Sequence, residues 1–403
     1  MSQLSYMEKL LDGVEVEWRT LGEIVEFRRG SFPQPYGESR WYDGKDSMPF
    51  VQVADVSDEG FLLNKKTKHQ ISVLAQPKSI FVETGTVIVS LQGTIGRVAI
   101  TQYDCYVDRT LAIFTNYKRD INKKYFAYQL KSKFDLEKKH ARGSTLKTIT
   151  KAEFSNFQIP IPPLNVQAEI VRILDTFTEL TAELTAELTA RQQQYAYYRD
   201  QLLTFEEGEV EWKTLGEVSQ YSKERIGSEQ LNEKNYVGVN NLLQDKAGKE
   251  NSSHVPTKGN STKYQENDIL IGNIRPYLKK IWQADCTGGT NGDVLVIHIT
   301  DEVVLPRYLY QILADDNFFN YNMQYAKGAK MPRGDKSKIM DYRIPIPPLD
   351  EQKRIVSILD KFDALTTSLT EGLPREIELR QQQYEYYRDL LLSFPKPEVV
   401  AHD

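Results

Sequence analysis

Basic and polar side chains recur on short segments of this chain, several of them flanked by glycine, and their types suit contacts with a nucleic acid. Lysine and arginine position phosphate groups, whereas arginine, asparagine and glutamine make paired hydrogen bonds to base edges. Any one such segment is also typical of a solvated loop. The candidate residues are Arg28, Arg29, Gln92, Thr94, Arg97, Arg142, Lys147, Asn273, Arg275, Tyr277, Lys279, Lys327, Lys330, Arg333 and Lys336. They occupy matching places in two unrelated regions, and this recurrence favours DNA binding.

The charges of the chain are segregated along its length. The formal net charge of −5 argues weakly against a nucleic-acid partner, but binding depends on local patches rather than on the average. Residues 118–151 contain eleven Lys or Arg against three Asp or Glu, and residues 327–343 contain six against two. Both basic segments come just before a proline-rich sequence, so they indicate two equivalent binding loops.

Catalytic and metal-binding signatures are missing from the sequence. It contains no Gly-x4-Gly-Lys-Ser/Thr phosphate loop, no Asn-Pro-Pro-Tyr segment of an amino-methyltransferase, and no Cys-x2-Cys or His-x3-His pair. The five histidines are scattered, and the two cysteines read as reduced thiols. We therefore expect a non-catalytic protein without a metal or cofactor of its own. With no signal peptide and no long apolar run, we expect it to be soluble and cytoplasmic.

The elements that position these residues are repeated. The sequence Ile-Pro-Ile-Pro-Pro-Leu at 159–164 returns at 344–349, and Arg-Gln-Gln-Gln-Tyr at 191–195 returns at 380–384. Upstream, Trp18 followed by Thr-Leu-Gly-Glu returns at Trp212. Between these copies, 24–155 and 218–340 share almost nothing. A duplicated frame with two divergent inserts presents two different surfaces in one fixed relation.

The repeated segments predict long helices with an extended lead-in. Prolines exclude helix from the lead-in, so helix should begin near Asn165 and Asp350. Apolar positions then step by four and three, through Tyr195 and Tyr198 in the first copy, as in a heptad seam about 40 residues long. Gly-Leu-Pro at 372–374 should interrupt the second copy. Core helices of an ordinary bundle are an alternative, but two copies able to pair favour an intramolecular antiparallel coiled coil.

The inserts read as compact α/β domains. We predict strands at 86–89 and 97–100 with counterparts at 268–271 and 293–299, and helices at 123–140 and 306–325. Arg28 and Arg29 should form a basic turn after a short strand, and residues 142–147 a mobile basic loop. The N-terminus resembles the end of a third, truncated helix, so the repeat is circular, with adjacent termini and an approximate two-fold axis.

This combination of segments resembles the specificity subunit of type I restriction–modification systems. The resemblance rests on the paired Ile-Pro-Ile-Pro-Pro-Leu-x2-Gln-x2-Ile-Val segments, the Trp-x-Thr-Leu-Gly-Glu starts and the Gly-Ser-Thr-x-Lys-x-Ile loop at 143–149. The Thr-Ala-Glu-Leu repeat at 181–188 and the Tyr-Tyr-Arg-Asp helix ends resemble the IC-type branch. It covers essentially the whole chain.

The resemblance implies two target-recognition domains that each read one half of a bipartite, asymmetric site in double-stranded DNA. It implies helices that act as a ruler and dock two modification subunits, which methylate adenine with S-adenosylmethionine. Restriction subunits with ATP and Mg would complete the complex. The inserts are the variable part of this family, so no base contact transfers residue by residue. A coiled-coil scaffold for proteins and a stand-alone DNA-binding regulator stay open as alternatives.

The predicted architecture is α+β, with two α/β target-recognition domains separated by two long antiparallel coiled-coil helices. The predicted boundaries follow in chain order. They are 1–156 for the first recognition domain with a short helix at 5–12, 157–205 for the first helical region, 206–341 for the second recognition domain, 342–394 for the second helical region, and 395–403 for a tail.

Overall fold

The computed structural model describes residues 6–58, 60–140, 151–366 and 371–395. These residues form two compact units, Met1–Glu183 together with Glu378–Asp403, and Leu184–Ile377. The boundary therefore falls inside the first long helix and near the start of the last one. The predicted tail, 395–403, lies outside the described residues except for Pro395.

The first unit consists of two four-stranded sheets, a strand pair and helices. Its elements are α1 (Tyr6–Leu11), β1 (Glu17–Thr20), α2 (Leu21–Ile24), β2 (Val25–Arg29), β3 (Met48–Val51), β4 (His69–Ile71), β5 (Ile80–Val82), β6 (Val87–Ser90), β7 (Val98–Ile100), β8 (Cys105–Val107), β9 (Leu111–Tyr117), α3 (Lys123–His140), α4 (Lys151–Ser155), β10 (Gln158–Ile161) and the start of α5 (Leu164–Leu203). The sheet orders are β2-β9-β6-β7 and β4-β3-β8-β5.

The second unit repeats this plan. Its elements are β11 (Glu211–Thr214), α6 (Leu215–Val218), β12 (Ser219–Tyr221), β13 (Arg225–Gly227), β14 (Tyr236–Val237), β15 (Asn260–Tyr264), β16 (Ile269–Gly272), β17 (Ile281–Gln283), β18 (Gly288–Thr290), β19 (Val294–Ile299), α7 (Pro306–Leu313), α8 (Asp316–Gln324), α9 (Lys336–Met340), β20 (Arg343–Ile346), α10 (Leu349–Thr366) and the start of α11 (Gly372–Leu392). The sheet orders are β12-β19-β16-β17 and β13-β15-β18-β14.

The two units have equivalent sheets despite their unrelated sequences. In each, one sheet is entirely antiparallel. In the other, the inner strand β8 or β18 has one parallel neighbour, β3 or β14, and one antiparallel neighbour, β5 or β15. The fourth strand is attached on different sides, next to the parallel neighbour as β4 and next to the antiparallel neighbour as β13. The predicted α+β class and the two separate α/β inserts are confirmed.

The proline-rich lead-in is extended, as predicted, and closes each unit. β10 pairs antiparallel with β1, where Trp18 lies opposite Pro160, and β20 pairs with β11, where Trp212 lies opposite Pro345. A two-stranded ladder tolerates proline because the missing N–H can face away from the partner strand. The entry and exit of each recognition domain are thereby held side by side.

The helix boundaries differ from prediction in small ways. α5 and α10 begin at Leu164 and Leu349, one residue before the predicted caps Asn165 and Asp350. The single helix expected at 306–325 is two helices, because Asp315 caps a new helix by accepting a hydrogen bond from Asn317 N–H. The predicted interruption at 372–374 is confirmed, since α10 ends at Thr366 and α11 begins at Gly372 with φ of 80°.

Each unit has its own hydrophobic core beneath the antiparallel sheet. In the first unit, Val87 and Val89 of β6 and Tyr125 of α3 are buried together with Ile170 and Leu174 of α5. The same core takes in three side chains from the end of the chain, Leu391, Leu392 and Phe394, and is flanked by Leu10 and Leu11 of α1. The indole Nε1 of Trp18 donates to the carbonyl of Pro395 at 3.0 Å. These contacts agree with the predicted circular arrangement.

Burial along α5 follows the predicted heptad series as far as Tyr195. At the next position Tyr198 is 41% exposed but its ring stacks on that of Phe362, with 5.8 Å between the centroids, and the adjacent Arg199 is buried. The guanidinium of Arg199 donates to Asp315 Oδ2 at 3.1 Å and to Gln311 Oε1 at 2.8 Å. A paired and fully hydrogen-bonded cation is stable inside the unit, which apolar periodicity does not anticipate.

Candidate nucleic-acid interface

The Thr-Leu-Gly-Glu repeats fix the start of each recognition domain. Thr20 and Glu23 form a capping box on α2, and Thr214 and Glu217 form the same box on α6. Hydrogen bonds from the threonine N–H and hydroxyl lower the pKa of both glutamates. These residues belong to the frame and not to a binding surface.

The repeated glutamines clasp each recognition domain to its long helix. Gln167 is fully buried, and its amide accepts from the N–H of Asn122 at 2.9 Å and donates to the carbonyl of Pro162 at 2.7 Å. Gln352 accepts from Leu305 N–H at 2.9 Å and donates to the Pro347 carbonyl at 2.9 Å. In each unit, one glutamine side chain thus joins the proline-rich lead-in to the residue just before α3 or α7.

A repeated aspartate makes a second clasp. In the first unit, Asp175 accepts from Lys124 Nζ at 2.6 Å and from the Tyr128 hydroxyl at 3.0 Å. In the second, Asp360 accepts from Arg307 Nε at 2.7 Å and from Gln311 Nε2 at 2.9 Å. The repeated aspartate of the long helix therefore bonds different side chains in the two inserts. The inserts can differ in sequence and still remain bound to the helix.

The turn after β6 carries three predicted residues of the first domain. Gln92 is half-buried, Thr94 is exposed, and Arg97 is turned inward. The Arg97 guanidinium donates to Asp58 Oδ2 at 2.8 Å and to the carbonyl of Val53 at 3.3 Å. Gly96 has φ of 79°, and a Cβ there would lie 2.6 Å from Cβ of Phe134. The turn is thus fixed against α3, and Gln92 and Thr94 face outward.

Arg28 and Arg29 lie within β2, so the predicted basic turn after a short strand is wrong. Both side chains are exposed, and they pair in register with Ile113 and Ala112 of β9. β2 is an outer strand of its sheet, where alternate residues point to opposite faces. The following residue, Gly30, approaches the β8–β9 turn so closely that a Cβ would overlap its backbone. Arg142 and Lys147 lie outside the described residues.

A groove of about 430 Å³ beside Gln92 contains two cations that sequence reasoning missed. They are Lys68 and Arg109, both exposed, and no carboxylate in the described part of the chain forms an ion pair with either. Arg109 lies in the tight turn between β8 and β9. A polar Asp-Arg-Thr triplet between two apolar strands marks such a turn in sequence. This triplet is the sequence pattern from which the turn, and with it Arg109, could have been identified.

In the second domain, the structure brings the two predicted basic loops together. Residues 273–280 follow β16, and residues 327–336 extend from the loop after α8 to the first residue of α9. Ile274 and Arg333 form an antiparallel bridge, and the N–H of Arg275 donates to the carbonyl of Pro332 at 2.7 Å. We call these residues the joined loops. Loop 273–280 is also the counterpart of the turn after β6, as predicted, because each connects the equivalent strands of its sheet.

The charged side chains of the joined loops fall into two groups. Lys327, Arg333 and Lys279 pair with carboxylates, at 2.7 Å to Asp335, 3.2 Å to Asp293 and 2.8 Å to Asp316. Tyr277, Lys330 and Lys336 are exposed, and within the described ranges neither lysine makes a side-chain ion pair. Exposed pairs of this kind are weak and exchange readily for phosphate contacts.

Two members of the predicted set lie beneath this surface. Asn273 is 5% exposed, and its Oδ1 has no hydrogen-bond partner. Arg275 is half-buried in a left-handed conformation with φ of 52°. A Cβ at Gly334 would overlap Oδ1 of Asn322 and lie 2.8 Å from Oδ1 of Asn273. The positions of Asn273 and Arg275 therefore favour a role in supporting the joined loops over direct contact with bases.

The part of the chain that the structure describes has neither a cluster of metal ligands nor a helix suited to crossing a membrane. No group of three or more His, Cys, Asp or Glu side chains could hold a metal ion among residues 6–58, 60–140, 151–366 and 371–395. None of the helices within these ranges has the length and apolar character needed to cross a membrane. Cys105 and Cys286 are free thiols.

Comparison with known proteins gives one consistent result. Residues 13–191 and 207–379 match the family model for the type I restriction modification DNA specificity domain. A type I restriction enzyme specificity subunit from Escherichia coli is 37% identical over 429 aligned positions that cover all of both chains. A putative type I restriction enzyme specificity subunit from Haemophilus influenzae is 32% identical, covering 97% of this chain and 98% of its own.

Solved structures agree at the level of fold. The crystal structure of the S subunit of a type I restriction–modification system from M. genitalium aligns with a TM-score of 0.56. The alignment covers 96% of this chain and 98% of that one, at 15% sequence identity. At that identity the likeness concerns the arrangement of elements alone.

Proposed function

The chain belongs to the type I restriction modification DNA specificity family, and on that premise we propose how its two DNA-recognition domains divide one DNA site. Each domain reads one half of a bipartite, asymmetric sequence in double-stranded DNA. The observation that carries this proposal is that the two units share their frame but differ in their loops. Their antiparallel sheets and clasps are equivalent, whereas the turn after β6 and loop 273–280, which connect equivalent strands, present different side chains.

Because the loops differ on equivalent sheets, the two domains present different side chains to bases from similar positions. In the first domain the outward side chains are Arg28, Arg29, Gln92 and Thr94, and in the second they are Tyr277, Lys330 and Lys336. Bases are distinguished by donors and acceptors in the major groove, so such different sets specify different half-sites. The family membership does not favour a protein-binding scaffold or a stand-alone regulator.

The long helices dock two modification subunits in this proposal. The Arg-Gln-Gln-Gln-Tyr repeat places Tyr197 on α5 and Tyr386 on α11 at equivalent positions, and these side chains are 61% and 65% exposed. Exposed aromatic rings are typical anchors of protein interfaces. The same surface presented twice fits two copies of one partner.

The chemistry belongs to partner subunits. S-adenosylmethionine would bind the modification subunits, and ATP and Mg would bind the restriction subunits, in a complex that acts in the cytoplasm on double-stranded DNA. The support is the lack of any phosphate loop or methyltransferase segment in this sequence. The purified chain should therefore transfer no methyl group alone, and robust transfer by it would contradict this division of labour.

One experiment tests the core of the proposal. Genomic DNA from cells that carry this chain with its modification subunits is sequenced for methylated adenine. We expect methylation at one bipartite sequence, with two different half-sites separated by a fixed number of unspecified bases. Methylation at a single continuous sequence, or none that depends on this chain, would overturn the proposal.

A further inference from the structure

The groove of the first recognition domain is built around a positioned arginine. Its walls come from five segments, which are Tyr36 before β3, the residues after β3, Lys68 before β4, the turn after β6 and the β8–β9 turn. Besides Asp108 and Thr110, which hydrogen-bond each other, the polar side chains along it are Gln52, Lys68, Gln92 and Arg109, and the aromatic ring is that of Tyr36. Four side chains able to hydrogen-bond a base or a phosphate thus converge on one concave surface.

The backbone of this groove is fixed by two buried aspartates. Asp55 is fully buried and accepts from the N–H groups of Gln52 at 2.9 Å and Lys68 at 2.8 Å. Asp108 is 2% exposed and accepts from the N–H of Thr110 at 2.9 Å and from its hydroxyl at 2.6 Å. Buried carboxylates that accept several backbone bonds hold a loop in one conformation.

Asp108 also positions the side chain of Arg109. The Tyr36 hydroxyl donates to Asp108 Oδ2, which fixes the ring. The Arg109 guanidinium lies over that ring, with Cζ 5.0 Å from its centroid. Stacking on an aromatic face leaves the N–H edge of a guanidinium available, and that edge matches two acceptors in one plane.

The acceptor pair that such an edge fits in duplex DNA is O6 and N7 of guanine. Arginine paired to these atoms is the commonest specific contact in the major groove. Lys68 has one compact charge, which suits a phosphate and carries no base preference. Gln52 and Gln92 also line the groove, and their amides suit a neighbouring base.

We propose that Arg109 reads a guanine in the half-site recognised by the first domain, with Lys68 binding the adjacent phosphate. This inference rests on the proposed function and deepens it by naming the reader and the base. Tyr36 and Asp108 are positioning residues for Arg109. Sequence inspection selected neither Arg109 nor Lys68.

The test is the methylated sequence of variants in the assembled modification complex. Arg109→Ala should lose preference for guanine at one position of one half-site, reducing discrimination there by about 10- to 100-fold. The other half-site should keep its sequence. Arg109→Lys should retain part of the preference, because lysine keeps the charge and one donor at a time. Lys68→Ala should weaken DNA binding without changing any base.

Lys45→Ala is the matched control, since Lys45 is an exposed cation of the same domain outside the groove. It should change neither the site nor the affinity. An unchanged half-site in Arg109→Ala, or one changed at no guanine, overturns this assignment while leaving the bipartite model intact. Loss of all methylation by Arg109→Ala but not by Arg109→Lys, with unaltered thermal unfolding, would show that Arg109 supplies affinity rather than base preference and would also overturn it.

Discussion

At the scale of single residues, the buried side chains repeated between the two halves hold the frame, and the inserts between them supply the side chains that differ. Gln352 illustrates the first group. Its amide is fully buried and makes three hydrogen bonds, including one to the carbonyl of Val303 at 2.7 Å. Such a side chain reads in sequence as an ordinary polar helix residue. Burial assigns it a structural role.

Gln352→Ala should therefore destabilise the second unit. It removes the partner of the Leu305 N–H and of the Val303 and Pro347 carbonyls, of which the Pro347 bond is buried, at a cost of about 1–3 kcal/mol for each group that water cannot reach. We expect a fall of roughly 2–4 kcal/mol in the free energy of unfolding, measured by chemical denaturation of the full chain. Gln201→Ala, an exposed glutamine on α5, should change it little. Equal stability of the two variants would mean that the clasp contributes nothing.

The ion pairs of Asp316 predict a pH dependence. Partial burial alone would raise its pKa, but hydrogen bonds from Lys246 and Lys279 outweigh that effect and lower the pKa from 3.8 to about 2. A lowered pKa stabilises the folded chain above the unfolded value of 3.8, and this contribution is lost as the pH falls towards 2. Wild type should thus exceed Asp316→Asn in stability at neutral pH, and the difference should vanish across that acidic interval.

Denaturation of both proteins at several pH values measures this difference. Glu302→Gln, which removes an exposed carboxylate of the same unit, is the control and should show no comparable gap at neutral pH. A gap for Asp316→Asn that persists below pH 2 would contradict the assigned cause.

At the scale of elements, the joined loops should carry DNA affinity. Replacing Lys327, Lys330, Arg333 and Lys336 by Ala removes up to four phosphate contacts. Each contact releases about 0.9 counterion, so the slope of log affinity against log salt should flatten by up to about 3–4. Binding of the assembled complex to a DNA duplex over a salt series measures this. Lys234 and Lys258, both exposed in the same unit, form the control pair, and an unchanged slope in the quadruple variant would mean that the loops are solvated.

The Thr-Ala-Glu-Leu repeat within α5 should set the distance between half-sites. It spans residues 181–188, inside one unbroken helix and across the boundary between the units. One repeat adds about 6 Å and about 40° to a helix, whereas one base pair adds about 3.4 Å and roughly 35° to DNA. Deleting residues 185–188 should therefore shorten the spacer by about one base pair and leave both half-sites intact.

Sequencing the methylated sites of that deletion variant decides the matter. Insertion of one further Thr-Ala-Glu-Leu unit is the reciprocal variant, and it should lengthen the spacer by a similar step. An active deletion variant with an unchanged spacer would rule out the ruler.

The elements were largely predictable from sequence, whereas the orientation of the candidate side chains was not. The 24–155 and 218–340 inserts differ in sequence, yet strand periodicity and glycine-flanked turns located β6, β7, β16 and β19 within one or two residues. The predicted equivalence of 293–299 with 97–100 was wrong, because β19 takes the place of β9 in its sheet and β17 takes that of β7. Arg97 shows the limit. Its place on a polar turn suggested a DNA contact, whereas its guanidinium pairs with Asp58. Pairing between residues distant in sequence decides which cations face outward, and local patterns carry no record of it.

At the scale of the whole molecule, each recognition domain is a module closed by a two-stranded ladder. β1 with β10, and β11 with β20, bring the chain in and out at one place. Exchanging residues 24–155 for the equivalent insert of another specificity subunit should therefore replace one half-site and leave the other unchanged. Methylation-site sequencing of the hybrid tests this, with the exchange of 218–340 as the reciprocal control. A simultaneous change of both half-sites would refute independent modules.

The core of the first unit contains Leu391, Leu392 and Phe394, which gives the molecule an unusual order of assembly. The ribosome makes most of the first unit early, but that unit cannot bury its apolar face until the last helix emerges. Synthesis at about 5–20 residues per second needs roughly 10–40 s for the roughly 190 residues between Glu183 and Glu378. The second unit, contiguous in the chain, needs no such wait. The unit translated first is therefore completed last, and a chain that stops before α11 leaves its first domain with an uncovered core for proteases and chaperones to recognise.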